Sequence, residues 1–275
     1  MTSFSRRGFL LSSAYATAGL ATTVSLPAFG KPASRYLDLQ DPNDALTAMI
    51  KMRGSLEAVD CPHWYEGTIY AVLPGQSPIA LIDYEGSEID YYQKQPDGSY
   101  KAYGATVSFF KDTVTGEFLE TFKNPLTGRE VEVKPNSITV KAHYIYSIYG
   151  MKRSDDDTPF GTTPIIQDKL KWRENGDYVW LNMRRQYPAG LPFGEDQSIQ
   201  GLTADLFNPD LVSVPATASP TYIAPWLSWM DMKEVEGHSV WAGPAHKLTS
   251  VEQYPRPLLD RMEKYFPEKL TAKPA

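Results

Sequence analysis

The stretch Glu174-Asn175-Gly176-Asp177 is the strongest local geometric signal in the sequence, and it positions the first residues that could do chemistry. Asn-Gly suits a two-residue type I′ hairpin turn, whose central positions both need a positive φ. Counting outward pairs Trp172 with Val179, Leu170 with Leu181, Asp168 with Met183 and Ile166 with Arg185 on one face. That face is apolar apart from Asp168 and Arg185, which are diagonal neighbours across the two strands. A lone carboxylate or guanidinium is costly to desolvate, so the two are expected to satisfy each other. Two roles stay open: a structural ion pair, or an arginine that grips an anionic or carbonyl group while Asp168 orients it.

Other side chains could serve the same site. The run 138–148 alternates as a strand whose even face carries Ile138, Val140, Ala142, Tyr144, Tyr146 and Ile148, so two tyrosine hydroxyls point inward. Each either finds a structural partner or donates a proton or positions a ligand. Glu66, on a strand beginning near His63, is a candidate general base or a solvated carboxylate; either face of that strand could look inward. Trp172, Tyr187, Tyr70, Trp226 and Trp229 are the candidate aromatic walls of a ligand pocket. Trp226 and Trp229 lie three apart, which places them on opposite faces of a strand. The segment 237–246 reads as a long, small-residue loop with two histidines, suited to gating a barrel mouth.

No cofactor is expected. His238 and His246 do not form a recognised metal-ligand spacing, and neither HxH nor HExxH occurs. A GxSxG elbow, a Walker loop, a GxGxxG fingerprint and a CxxCH haem site are also missing. The acid run Asp155-Asp156-Asp157 reads as a solvated turn, since a calcium loop spaces its ligands.

The elements that must position these residues follow from periodicity. Asp41 caps and Pro42 opens a helix to about Arg53, with Leu46, Met49 and Ile50 on one face. From His63 to Lys233, runs rich in Tyr, Val, Ile, Thr and Phe alternate with turns such as Pro74-Gly75, Asp97-Gly98 and Asn124-Pro-Leu-Thr-Gly128. They predict strands at 63–73, 78–85, 87–94, 100–112, 117–123, 130–134, 138–150, 164–174, 177–187, 199–207 and 221–232. A last helix, 256–266, carries Leu258, Leu259, Met262 and Phe266 on one side. Hairpins without alternating helices exclude a Rossmann fold and favour a mainly all-β antiparallel barrel, lipocalin-like in general plan, with short N- and C-terminal helices. A β-sandwich is the competing architecture.

The N-terminus carries an address. Arg6-Arg7 stand just before Phe9-Leu10, and from Phe9 to Phe29 there is no charged residue. Ser, Thr, Ala and Gly dilute the stretch below membrane-anchor hydrophobicity, and Pro27-Ala28-Phe29-Gly30 supplies small residues for cleavage. This is the pattern read by the twin-arginine translocase, so export to the periplasm is expected, with 1–30 a signal peptide and 31–275 a single domain. No stable membrane anchor is expected after processing. Without residues 1–30 the chain keeps 25 Lys+Arg against 33 Asp+Glu, a formal charge of −8, which disfavours nucleic acid as a partner. The single cysteine, Cys61, excludes an intramolecular disulfide and a cysteine-ligated cluster.

The chain resembles a family catalogued as domain of unknown function 1838, found in bacterial exported proteins and in fungi. The residues that carry the resemblance are Asp41-Pro-Asn-Asp-Ala-Leu, Lys51-Met-Arg-Gly-Ser, Trp64-Tyr-Glu-Gly-Thr-Ile-Tyr, the Thr115-Gly-Glu and Asn124-Pro-Leu-Thr-Gly turns, and Pro225-Trp-Leu-Ser-Trp-Met. The resemblance implies one β-rich domain and carries over no catalytic residue. From the residues, the expected role is a pocket for a small aromatic or apolar molecule bearing a carboxylate or carbonyl. That pocket would bind its ligand or also transform it by cofactor-free acid–base chemistry. The contrasting expectation is an interaction protein with a fully packed barrel.

Overall fold

The computed structural model describes residues 36–153, 166–167, 170–186 and 194–274, with only the backbone of 140–143, 152–153, 166–167 and 186. Asp168 and Tyr187 lie outside the described residues. Helix α1 (Pro42–Arg53) starts as expected, because the Asp41 carboxylate accepts from the backbone N–H of Asn43 and Asp44. Strands β1 (Cys61–Val72), β2 (Ile79–Lys94), β3 (Tyr100–Lys111), β4 (Thr121–Lys123), β5 (Glu130–Glu132), β6 (Asn136–Ser147) and β7 (Gly150–Arg153) follow. After them come β8 (Ile166–Gln167), β9 (Lys171–Asn175), β10 (Tyr178–Gln186), β11 (Gly194–Leu202), the one-turn helix α2 (Thr203–Leu206), β12 (Ala216–Ala224), β13 (His238–Ala242) and β14 (Ala245–Lys247). Helix α3 (Arg256–Tyr265) closes the series.

The fold is a mainly antiparallel sheet running β7-β6-β3-β2-β1-β13-β12-β11-β10-β8, with β9 on β10 and β14 bridging β1 and β12; β4 and β5 form a separate hairpin. The sheet curls strongly. Arg185 of β10 donates to the hydroxyl of Tyr146 on β6 at 2.8 Å, although β3, β2, β1, β13, β12 and β11 separate them along the sheet. Along the inner side, a core of Tyr92, Tyr100, Tyr146, Leu181 and Met183 gathers around α1. A second core contains Ile69, Tyr84, Phe110, Met230 and Trp241. A third, with Val107, Phe109, Leu258 and Met262, lies under α3 on the other side of the sheet.

Several local readings change, among them the strand expected at 199–207, whose second half is helix α2, and the strand expected at 138–150, which divides into β6 and β7. The hairpin register is shifted by two residues: Leu181 pairs with Trp172 and Val179 with Glu174, so Gly176-Asp177 form the turn. Gly176 alone takes a positive φ, of 61°, as a type II′ turn requires at its first central position. A two-residue shift preserves the faces, so Val179, Leu181, Met183 and Arg185 still look inward. Strands expected at 78–85 and 87–94 are one, β2, because the Tyr65 ring occupies the space a side chain at Gly86 would need. Residues 237–246 are β13 and β14 rather than a gating loop; alternation of buried Ser239 and Trp241 was masked by the small residues around them. Finally, β12 ends at Ala224, so Trp226 precedes and Trp229 sits within a 3-10 turn (Ser228–Met230), and both pack on the second core.

Candidate functional site

The site is built where α1 ends. Its last carbonyls would be orphaned in the interior. They are met by side chains instead: Lys247 donates to the carbonyls of Lys51 (2.8 Å) and Gly54, Ser213 to Gly54 (2.8 Å), and the His63 Nε2–H to Arg53 (2.8 Å). Burial lowers the His63 pKa to about 4 despite nearby Asp90, so the ring is neutral at pH 7 and this tautomer is the one that donates. Lys51 is itself pinned to the carbonyls of Leu206 and Asn208 at 2.8 Å each. This capping fixes Arg53 among the inward residues of the sheet.

Arg53 is the hub of a buried charged layer. Its Nε donates to Tyr92 Oη (3.0 Å), Nη1 to Gln197 Oε1 (2.8 Å) and Nη2 to Asp90 Oδ2 (3.1 Å), while Glu88 Oε1 stands 3.5 Å from Nη2. Burial opposes its charge, but Tyr92, Asp90, Tyr146 and Glu88 together more than offset this and hold the guanidinium protonated. A second pair completes the layer: Arg185 Nη1 donates to Glu195 Oε2 at 2.7 Å, directly opposite it in the β10–β11 ladder. Tyr222 of β12 is in turn opposite Glu195.

Three strands show that this layer lies between the two inner cores. On β2, Tyr92 belongs to one core and Tyr84 to the other, with Asp90, Glu88 and Gly86 at the inward positions between them. On β3, Ala102 and Phe110 belong to the two cores, and the inward positions between them hold Gly104, Thr106 and Ser108. On β10, Met183 closes the first core before Arg185. Small residues therefore face Glu88, which pairs across the ladders with His63 and Thr106. The Tyr65 hydroxyl donates to the Val107 carbonyl at 2.9 Å and lies 2.8 Å from Ser108 Oγ, beside these small residues.

Glu88 is the exceptional group. Its side chain keeps 29% of its surface accessible, against 9% for Asp90 and Arg53, 11% for Arg185 and 6% for Glu195. Desolvation nevertheless pushes its pKa up to about 7, with Asp90 and Glu195 adding to the rise and Arg53 and Arg185 opposing it. The carboxyl is thus desolvated yet accessible on the inward face of the sheet, and among the described residues it has no hydrogen-bond partner beyond the ion pair with Arg53. The Trp172 and Trp229 indole N–H groups are also buried without partners among the described residues. A separate cleft of about 340 Å³, between Leu119, Val133, Arg261 and Phe266, lies away from this layer, and its Arg261 is engaged by Glu120 at 3.2 Å.

Of the residues singled out in the sequence, Arg185 and Tyr146 meet in the layer, and half-buried Tyr144 packs beside them. Glu195 is a carboxylate on Arg185, while Asp168, the partner expected from the sequence, lies outside the described residues. Glu66 is exposed, on the opposite face of β1 from buried Ile69 and Ala71; Tyr70 shares that face and is half-buried. Trp172 packs on the α1 core; the Trp226 indole donates to Val235 at 2.9 Å, and Trp229 packs on Phe110 and Phe122. Sequence reasoning did not single out Arg53, Glu88, Asp90, Tyr92, Gln197, Glu195 or Tyr222. Among the described residues, no three His, Cys, Asp or Glu side chains cluster as a metal site would require.

These features define a mainly antiparallel β protein with a buried charged layer between two apolar cores. The model of the family described as "Protein of unknown function (DUF1838)" matches residues 60–275, and the chain belongs to that family. No curated protein and no solved structure matches the chain.

Proposed function

We propose that the protein binds a small, largely apolar or aromatic molecule bearing a carbonyl or carboxylate in a chamber at the charged layer, and that Glu88 supplies acid–base chemistry there. The observation that carries this reading is the open carboxyl of Glu88. Arg53 with Asp90 and Arg185 with Glu195 already form two matched pairs, which is all that an architectural layer needs. Glu88 adds a third carboxylate that, among the described residues, makes no hydrogen bond beyond its ion pair with Arg53, and it faces the small residues Gly104 and Thr106. A pKa near neutrality lets such a group both take and give a proton.

Closure of the curled sheet into a lipocalin-like barrel belongs to this reading, supported by the Arg185–Tyr146 bond between its distant strands. So does export by the twin-arginine route to the periplasm, supported by Arg6-Arg7 and the uncharged stretch after them. No helix among the described residues is long and apolar enough to cross a membrane. Native mass spectrometry of the mature protein from its own periplasm, set against its denatured mass, tests the chamber. An excess mass of small-molecule size that disappears in Glu88→Leu is expected. A wild-type protein without excess mass, whose backbone and side chains around Glu88 exclude every small molecule in a soak of its crystals, would leave a packed interaction protein.

A further inference from the structure

Building on that chamber, we propose that its substrate class is the neutral, enolisable carbonyl compound, with Glu88 as the base that moves the α-proton and Tyr222 as the donor to the carbonyl oxygen. The groups left open to a ligand point this way. Tyr222 sits beside Glu195 in the β11–β12 ladder, on the row that continues to Arg185. Its hydroxyl makes no hydrogen bond among the described residues, although the residue is half-buried. Burial, reinforced by the Glu195 and Glu88 carboxylates, holds that hydroxyl protonated, so it is a donor. An open carboxyl from β2 and an open hydroxyl from β12 therefore flank one stretch of the layer: Arg53, 3.5 Å from Glu88, donates to Gln197, which lies two residues from Glu195 on the same face of β11, and Tyr222 is opposite Glu195.

The charge of the layer selects a neutral ligand. Glu88, Asp90 and Glu195 face Arg53 and Arg185, and both guanidiniums are engaged by protein acceptors. The next cation, Lys247, is spent on the carbonyls of α1. A ligand carboxylate would add a fourth negative charge to those of Glu88, Asp90 and Glu195, and the layer's two guanidiniums among the described residues are already engaged, whereas a ketone oxygen needs only the Tyr222 donor. Arg53 is a positioning residue: bound to Tyr92, Gln197 and Asp90, it holds a fixed positive charge 3.5 Å from Glu88.

In the step itself, the Glu88 carboxylate removes an α-hydrogen as a proton. The C–H bond breaks and an O–H bond forms on Glu88. The freed electron pair makes a carbon–carbon double bond, and the carbonyl π pair moves to the oxygen, which accepts a hydrogen bond from Tyr222. Return of the proton to the same carbon restores the ketone, and return to the far end of a conjugated system gives its isomer. No electrons are gained or lost overall.

The test is proton NMR of the mature protein in deuterated buffer with enolisable ketones graded from acetone to benzylacetone and tetralone. Deuterium should enter the α-position above the buffer rate. Glu88→Gln should slow this by about 10²–10⁴-fold, with ketone binding, read by saturation transfer, still detectable, and Tyr222→Phe should slow it by about 10²–10³-fold with weaker ketone binding. The wild-type rate should rise with pH as Glu88 ionises in the field of Asp90, Glu195, Arg53, Arg185, Tyr222 and its neutral ladder partner His63, and level off above pH 7. Saturation transfer without exchange would overturn the assigned chemistry and leave the chamber standing. Failure of every ketone to bind would overturn the carbonyl class, while the native mass comparison still judges the chamber. Exchange undiminished in Glu88→Gln would place the base elsewhere and refute the proposal.

Discussion

If Glu88 is a surplus carboxyl facing a chamber, removing its charge should make the protein more stable, in a way that depends on pH. Its pKa stands at about 7 in the folded protein against an ordinary 4.5. At 1.36 kcal/mol per unit, that difference corresponds to about 3 kcal/mol. Well below pH 4.5 the group is protonated in both folded and unfolded chains, and the full stability is present. Between 4.5 and 7 the unfolded chain ionises while the native one keeps its proton, so stability falls as pH rises. Above 7 the loss is complete. Glutamine has the shape of the protonated acid and cannot ionise, so Glu88→Gln should match the wild type near pH 4.5 and exceed it by about 3 kcal/mol near pH 9. In urea unfolding followed by tryptophan fluorescence, that gap is a midpoint shift of about 1 M or more. A difference between the two proteins that stays constant from pH 4.5 to pH 9 would refute the reasoning, because a solvated carboxyl gives no such slope.

Further predictions test the neighbouring claims. Arg53→Met should destabilise the fold by about 3–5 kcal/mol, since it strands Asp90 and Glu88 as buried carboxylates without their counter-charge. Unfolding at pH 8 checks it, and a loss under 1 kcal/mol would remove Arg53 from the hub. Glu66→Gln should change stability by less than about 0.5 kcal/mol and leave ligand retention intact, because Glu66 is exposed. Urea unfolding and native mass read both. Arg6→Lys combined with Arg7→Lys should trap the protein as an uncleaved cytoplasmic precursor, seen by fractionation and intact mass; normal periplasmic accumulation would refute the export reading.

The parts of the fold that rest on local chemistry were legible: the Asp41-Pro42 helix start, the α3 stripe, and most hairpin turns around positive-φ glycines such as Gly98 and Gly128. The charged layer was not, because each of its members is locally ambiguous. On β2 both alternating faces mix polar and aromatic residues: Tyr84, Gly86, Glu88, Asp90 and Tyr92 on one, Glu85, Ser87, Ile89 and Tyr91 on the other. The reverse face is covered by α3, where Ser87 donates to Met262, so no polarity contrast marks which side is inward. Arg53 did leave a signal. It stands seven residues after Leu46, on the stripe that also carries Met49 and Ile50, and a guanidinium on a helix's apolar face needs buried acceptors. Arg185 was found because its hairpin fixed its face, but its carboxylate partner comes from β11, a pairing between strands that no turn specifies.

The arithmetic of the layer separates a structural explanation from a functional one. Buried ion pairs are at best neutral for stability compared with apolar packing, so two matched pairs already contribute little beyond specificity. A third carboxylate lowers stability outright at neutral pH, and among the described residues only the 3.5 Å ion pair with Arg53 engages its oxygens. The facing positions of β3 hold glycine, threonine and serine, the small side chains that the proposed chamber beside Glu88 requires. A destabilising acid held only by an ion pair and facing small side chains is a poor device for joining distant strands of one sheet and a good one for meeting a molecule that brings its own hydrogen. Because the layer becomes neutral on gaining one proton, the protonated and ionised forms of Glu88 are close in free energy near pH 7, which is the condition for rapid proton exchange in both directions.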